Sequence, residues 1–286
     1  MWGFFPLYWP LLEPAGAVEI LAHRIVWSLV VMAVVVVAMR RGSRLRATLA
    51  DRRTRWLLAV AAVLITVNWG TYIWGVNHHH VVETSLGYFI NPLVSVLLGV
   101  LVLGERLRRL QWAALGVAAV AVVALTVEYG HPPWVALILA FSFGSYGLAK
   151  KKANAGAVES LVIETMVVSP VALGYVVFLM ATGASTFGNH GAGHVALIMG
   201  TGLITVIPLL CFGGAATRIP LSTLGLMQYL TPSVQFVLGL VVFGEPMPPM
   251  RWVGFGLIWL ALVLFTAETL RNRHRVRAAE AEPVTV

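Results

Sequence analysis

In a chain that is 59% hydrophobic and only 11% charged, the residues able to bind or move a polar solute are few enough to name. Tyr88, Asn91 and Ser95 are spaced by three and four, so a helix presents them on one face. The positions 140 residues further on are Gln228, Thr231 and Gln235, again polar. Each set contains a proline, Pro92 or Pro232, that removes a helical hydrogen bond and pushes against the carbonyl four residues back, at Tyr88 or Gln228. Hydroxyls, amides and freed carbonyls at one level of two helices can coordinate a solute in a cavity. The same groups can instead tie membrane helices to one another. Asn68, Tyr72 and His79, flanked by Trp69 and Trp74, form another stripe, and Thr201, Thr205 and the kink residue Pro208 a further one. Aromatic walls with scattered hydrogen-bonding groups suit an amphiphilic organic solute better than a bare ion. The alternative for these rings is an aromatic belt at the membrane surface.

Two charges interrupt apolar runs 140 residues apart, Arg24 and Glu164. Charge inside a membrane is costly, and it is usually paired or exposed to an aqueous path. Glu164 therefore has two readings, a group that titrates to couple efflux to protons or a member of a structural ion pair. Glu19 and His23, one turn apart, belong with Arg24 in an outer network. Bond-breaking chemistry has much less to stand on. The one aspartate, Asp51, sits in a basic loop, and no paired carboxylates or nucleophile and base are apparent, so an enzyme is not expected. No nucleotide-binding loop is present to use ATP directly. His78, His79 and His80 point in different directions on a helix, with no carboxylate or cysteine pattern to complete a metal site. No cofactor is expected. Glu105 and Glu245 each follow a glycine at a helix end, where capping or interfacial contact is the expected role.

The elements that must carry these groups are membrane helices. A soluble domain would have roughly a quarter of its residues charged. Here apolar runs approach or reach the ~20 residues needed to cross a bilayer, and strands of a barrel would alternate over about ten residues instead. Helices are expected at 18–39, 56–76, 84–103, 110–127, 133–149, 157–181, 195–217, 221–243 and 252–270, preceded by a partial helix at 1–12. If successive connections alternate sides, 18 of the 20 basic residues fall on one side, and only Arg24 and Arg251 do not. The positive-inside rule makes that side cytoplasmic, with both termini there, so the net charge of +8 records topology and not nucleic-acid binding. Cys211 is the one cysteine, which excludes an intramolecular disulfide.

The 140-residue interval is a repeat. AGAVE occurs at 15–19 and at 155–159, and from Pro92 and Pro232 onward nine of 25 gaplessly aligned positions are identical, Gly104-Glu105 and Gly244-Glu245 among them. Shifting by 140 carries each expected helix from 18–39 to 110–127 onto one in the second half. Five helices per half is an odd number, so the second half enters the membrane from the opposite side, a plan found in secondary transporters with substrate near the midplane. The expectation is an all-α integral membrane protein of ten helices in two inverted repeats, 1–130 and 131–270, with a basic cytoplasmic tail at 271–286. The first helix is expected to be truncated at its start.

The stretches VEILAHRIVWS, NHHHVVETSLGYFINPLVSVLLGVLVLGERLRRLQW, LAFSFGSYGLAKKK, LVIETM and TVIPLLCFGGAATRIPLSTLG resemble the RarD branch of the EamA family in the drug/metabolite transporter superfamily. The resemblance spans nearly the whole chain; the paired Pro and Gly-Glu pattern is typical of the superfamily at large, whereas NHH followed by SLGYFINPL is more specific to the branch. It implies a ten-helix carrier of the bacterial inner membrane, an exporter of small amphiphilic metabolites or drugs. It further implies alternating access around a site between the first, third, fourth, sixth, eighth and ninth helices. The partners expected are a small-molecule substrate and membrane lipid. A passive channel, a non-transporting membrane sensor and an enzyme of lipid-linked substrates are the competing classes.

Overall fold

The computed structural model describes residues 1–104, 107–216 and 230–281, and every regular element within them is helical. Two 3-10 helices, Trp2–Leu7 and Trp9–Leu12, lead into α1 (Ala17–Ala38), a short α2 (Gly42–Ala50), α3 (Arg52–Asn77), α4 (Val81–Leu103) and α5 (Arg109–Tyr129). The second half holds α6 (Trp134–Ala153), α7 (Ala157–Ala181), α8 (Gly191–Ala216), α9 (Leu230–Val241) and α10 (Pro249–Ala281). Gln228, Glu105 and the first part of the helix expected at 221–243 lie outside the described residues. The segment expected as a partial helix at 1–12 is wound as 3-10 turns, in keeping with Pro6 and Pro10, which withhold two amide donors one α-helical turn apart. The short α2 was not foreseen, because its arginines hide any apolar periodicity. None of its residues is fully buried, and only Leu45 and Leu49 rest against neighbouring helices.

Among the described residues, seven helices (α1, α3, α4, α5, α7, α8 and α10) are long and apolar enough to cross a membrane. Their outward faces match that environment. Val30, Val34 and Val37 on α1, Val60, Val63 and Val67 on α3, and Val120, Val123 and Val127 on α5 are all exposed. Spacings of three and four put each trio on one face. Water would oppose so much continuous apolar surface, whereas hydrocarbon accepts it. The chain is a multi-pass membrane protein.

Helix ends repeat at the 140-residue interval. α1 and α7 begin at Ala17 and Ala157, each after an extended glycine, Gly16 and Gly156. Gly104 after α4 and Gly244 after α9 have φ of 68° and 62°, a left-handed conformation that other residues adopt only with strain. The residue after Gly244 then acts at a distance. Glu245 accepts hydrogen bonds from the amides of Val81 and Val82, the latter at 2.8 Å, and so caps α4 from the loop between α9 and α10.

With lipid as apolar as leucine, the helices associate through close packing rather than escape from water. α1 packs on α7 and α8, α3 on α6 and α7, α4 on α6 and α9, and α5 on α10, while the amino-terminal 3-10 turns pack on α9 and α8. Glycines allow the closest approaches. A Cβ on Gly87 would stand 2.8 Å from the Ala136 carbonyl oxygen, and one on Gly202 would stand 2.5 Å from the Trp27 backbone. We therefore expect Gly87→Ala to lower the melting temperature in detergent by several degrees, at a cost of about 1–3 kcal/mol for overpacking. Gly116→Ala, where the added methyl meets nothing within 4 Å, is expected to be neutral or slightly stabilising, and equal melting of the two variants would contradict this packing.

Burial pushes the Glu245 carboxyl up to about 7, against the lowering effect of the Val82 and Val81 amides. A folded value above the ordinary 4.5 means that its contribution to stability is fully present below about 4.5 and is lost as pH rises through about 7. Thermal melts between pH 4.5 and 8.5 are expected to show wild type losing stability relative to Glu245→Gln across that window. Parallel curves would contradict the shift.

Candidate substrate-binding cavity

Residues of three of the polar stripes line one cavity, with about 90 Å³ open to the centre of a water molecule. That is room for several waters or part of an organic solute. α3 contributes Ile65, Asn68, Trp69 and Tyr72, and α4 contributes Tyr88, Asn91 and Pro92. α9 adds Thr231, Pro232 and Gln235 from across the space. Trp2 and Phe5 of the amino-terminal turns, Arg24 of α1, Phe143 of α6 and Leu209 of α8 complete the wall.

Asn68 organises the α3, α4 and α6 side. Its Nδ2 donates to the Leu139 carbonyl and to Ser142 Oγ, both at 3.0 Å, while its Oδ1 accepts from the Tyr88 hydroxyl at 3.2 Å. A carbonyl can only accept, which fixes the amide's orientation. The Tyr88 ring meets Tyr72 edge-on at 5.7 Å. Tyr72 in turn accepts from Gln235 Nε2 at 2.9 Å, and the same nitrogen donates to the Trp2 carbonyl at 3.3 Å. The chain Ser142, Asn68, Tyr88, Tyr72, Gln235 thus crosses from α6 to α9 through side chains. Asn91 Oδ1 and Gln235 Oε1 are buried without a hydrogen-bond donor among the described residues.

Arg24 is 3% exposed. Its Nε donates to Thr205 Oγ1 at 2.7 Å, and its guanidinium carbon lies 4.1 Å from the centre of the Trp69 ring, with the Trp9 and Phe5 rings at 5.2 and 5.8 Å. Insertion scales put an arginine at the centre of a membrane helix at about 3 kcal/mol unfavourable. A hydrogen bond from a charged donor is worth about 1.5–3 kcal/mol, and a desolvated cation–π contact about 2 kcal/mol. These are of one order, so the side chain is held in place with no carboxylate within 4.0 Å among the described residues. Nη1 remains without an acceptor.

Of the residues singled out from sequence, Asn68, Tyr72, Tyr88, Asn91, Thr231 and Gln235 meet at the cavity, and Arg24 joins them. Thr205 stands behind, as the acceptor that orients Arg24. Ser95 does not line the cavity. It is exposed one turn beyond Asn91, its Oγ close to Gly144 on α6. His79 also departs from its stripe, lying exposed past the end of α3 with φ of 58°. His78 and His80 stack on Trp74 at 4.4 and 5.5 Å.

Glu164 is 2% exposed and belongs to a separate network between α6 and α7. Lys150 Nζ stands 3.1 Å from its Oε1, Ser160 Oγ donates to that oxygen at 2.6 Å, and the Tyr146 hydroxyl donates to Oε2 at 3.1 Å. Glu19 also parts from Arg24. It accepts from the Ser185 hydroxyl and the Thr186 amide in the connection between α7 and α8, and His23 stacks on Phe187 at 4.9 Å. Sequence reasoning missed the apolar wall residues Trp2, Phe5, Ile65, Phe143 and Leu209, and also Ser142, which anchors Asn68. The aromatic character of the start, WGFFPLYW, does not single out a wall, although Ser142 does lie in the family-like stretch LAFSFGSYGLAKKK.

Comparison with known proteins agrees with this architecture. Residues 1–127 match the model of the EamA-like transporter family. Protein RarD of Streptomyces exfoliatus is 59% identical over 100% of this chain and 91% of its own length. Protein RarD of Escherichia coli is 42% identical over 96% of this chain and 93% of its own, and an uncharacterized transporter of Vibrio cholerae is 43% identical over 98% and 92%. A crystal structure of a protein with 16% sequence identity superposes with a TM-score of 0.60 over 92% of either chain, a likeness of fold alone. The relatives' identity and full-length coverage establish that this chain belongs to the RarD branch of the EamA-like transporter family.

Proposed function

We propose that the chain is a secondary carrier that exports small amphiphilic metabolites or drugs by alternating access. Its site is the cavity between two inverted five-helix repeats, residues 1–130 and 131–270. In this reading the protein lies in the bacterial inner membrane with both termini and the 271–286 tail cytoplasmic, and it moves its solute without chemical conversion. The observation that carries the proposal is a single cavity walled by α3 and α4 of one half and by α6, α8 and α9 of the other, with hydrogen-bonding groups set among aromatic rings.

The inverted repeat draws support from which elements touch. Exchanging each element of the first half for its partner 140 residues away turns the α4 and α6 contact into that of α9 with the amino-terminal turns. It likewise turns the α1 and α8 contact into that of α7 with α3, and leaves the α1–α7, α4–α9 and α5–α10 contacts as self-pairs. The two AGAVE glutamates add a polar counterpart. Glu19 holds the connection between α7 and α8, and Glu159 pairs at 3.2 Å with Arg41 in the connection between α1 and α3. Each glutamate thus grips the loop following its partner helix. A rocking motion of two such halves would open the cavity to one side and then the other.

The test is uptake into proteoliposomes of amphiphilic solutes, with and without an imposed pH gradient. Saturable uptake that concentrates solute only with the gradient is the expected result, and fluxes that rise linearly with concentration would favour a channel. Asn91→Ala and Gln235→Ala are each expected to reduce solute affinity by about fivefold, the equivalent of one hydrogen bond at about 1 kcal/mol. Membrane abundance should change less than about twofold, because both side chains border open space and their truncation removes no apolar packing. Ser95→Ala should behave as wild type. Matching losses of uptake and abundance would support helix packing as the role of the stripe.

A further inference from the structure

The carrier reading leaves the solute's charge open, and the cavity has a charge of its own. We infer that it takes a small organic monocarboxylate that carries an apolar, preferably aromatic, body and an N–H or O–H donor. Arg24 anchors the carboxylate. This inference rests on the cavity being the transport site.

The Nε of Arg24 is satisfied by Thr205 and its face by Trp69, but Nη1 has no acceptor. Elsewhere every buried carboxylate among the described residues is already engaged. Glu19 accepts from Ser185 and Thr186, Glu83 from the Val135 amide with His80 beside it, Glu159 faces Arg41, and Glu164 faces Lys150. Arg24 is the cation in the cavity wall, and the matching charge has to enter with the solute. A guanidinium presents a planar fork that fits a carboxylate with two parallel hydrogen bonds. A phosphate monoester carries about −1.5 to −2 at neutral pH, which one arginine would leave partly uncompensated in a largely apolar space.

The rest of the wall specifies the remainder of the solute. Asn91 Oδ1 and Gln235 Oε1 are unpartnered acceptors, and Gln235 is held in that orientation because its Nε2 donates to the Trp2 carbonyl. Those oxygens call for a donor on the solute. The rings of Trp69, Tyr72, Tyr88 and Phe143 supply flat apolar surface for its body. The positional counterpart of Arg24 in the second half, Glu164, lies outside the wall and is closed by Lys150, so among the described residues the wall offers one charged pole.

The test uses the full chain in lipid nanodiscs and measures the affinity of 3-phenyllactate, indole-3-acetate and 2-hydroxyisocaproate, each beside its primary amide, by titration calorimetry. Phenyl phosphate serves as a second anion. The expected result is that at least one acid binds about tenfold or more tightly than its amide, in line with a charge-assisted pair, and more tightly than phenyl phosphate. Arg24→Gln should remove that preference and Arg24→Lys should retain part of it. Thermal melting of the unliganded variants verifies the fold. If Arg24→Gln fails to fold, the acid-to-amide ratio of wild type, with and without Thr205→Val, decides. Equal binding of acids and amides, or equal binding of phenyl phosphate and the acids, overturns the inference. Saturable binding of amides without binding of acids overturns it while sparing the carrier reading, whereas no saturable binding of any member, together with no saturable uptake of any member into proteoliposomes, overturns both.

Discussion

Hydrocarbon offers no hydrogen bonds, so each polar group that this chain carries into the membrane needs a partner within the protein, an aqueous space or a solute. The placement of its buried charges follows from that constraint. Glu164 is closed by Lys150, Tyr146 and Ser160, and Glu159 by Arg41. Glu19 is closed by a hydroxyl and an amide of the connection between α7 and α8. Apart from the Ser160 bond within α7, each contact fastens one helix to another element, so charge serves as the tie that packing alone, without a hydrophobic drive, supplies less strongly. Arg24 differs because one of its donors is left over, and it borders the cavity.

The cavity exists because several elements fail to close on one another. α3, α4 and α6 are drawn together by Asn68, which satisfies groups on all three. α9 meets them through Gln235 and Tyr72. The Tyr72 and Tyr88 rings meet edge-on beside these bonds, and Pro92 and Pro232 occupy the same wall, each without an amide hydrogen to donate. A space bounded by helices from both halves, polar at a few points and apolar elsewhere, is suited to a solute of the same character.

Much of this was legible in the residues. Periodicity with long apolar runs gave the helices, because lipid imposes a length and a composition on each span. The polar residues at 88, 91, 231 and 235 pointed to the cavity because polar groups in such runs are rare, and the interval of 140 related them. Ser95 misled for a geometric reason. It shares a helical face with Asn91, but one turn further on, against Gly144, that face is exposed. The pairing of Glu164 with Lys150, four turns distant in sequence and on another helix, was not legible, since spacing within one helix carries no information about the neighbour's register. The same holds for Arg24. Its burial could be read, but its lack of a carboxylate among the described residues depends on where Glu19 of its own helix and three glutamates on other elements point. The apolar walls gave no signal, because Phe143 or Leu209 facing a cavity has the same sequence character as one facing lipid.

The central claim is that solute occupies this cavity and reaches it from both membrane faces in turn. Cys211 is the one native cysteine, so a Cys211→Ser chain with a single cysteine at Thr231 isolates a reporter in the wall. The rate at which a membrane-impermeant thiol reagent modifies it, in right-side-out and in inside-out vesicles with and without a transported solute, is the direct measurement. The account predicts labelling from either face, slowed by solute in both. Labelling from one face only, or at a rate indifferent to solute, would contradict it.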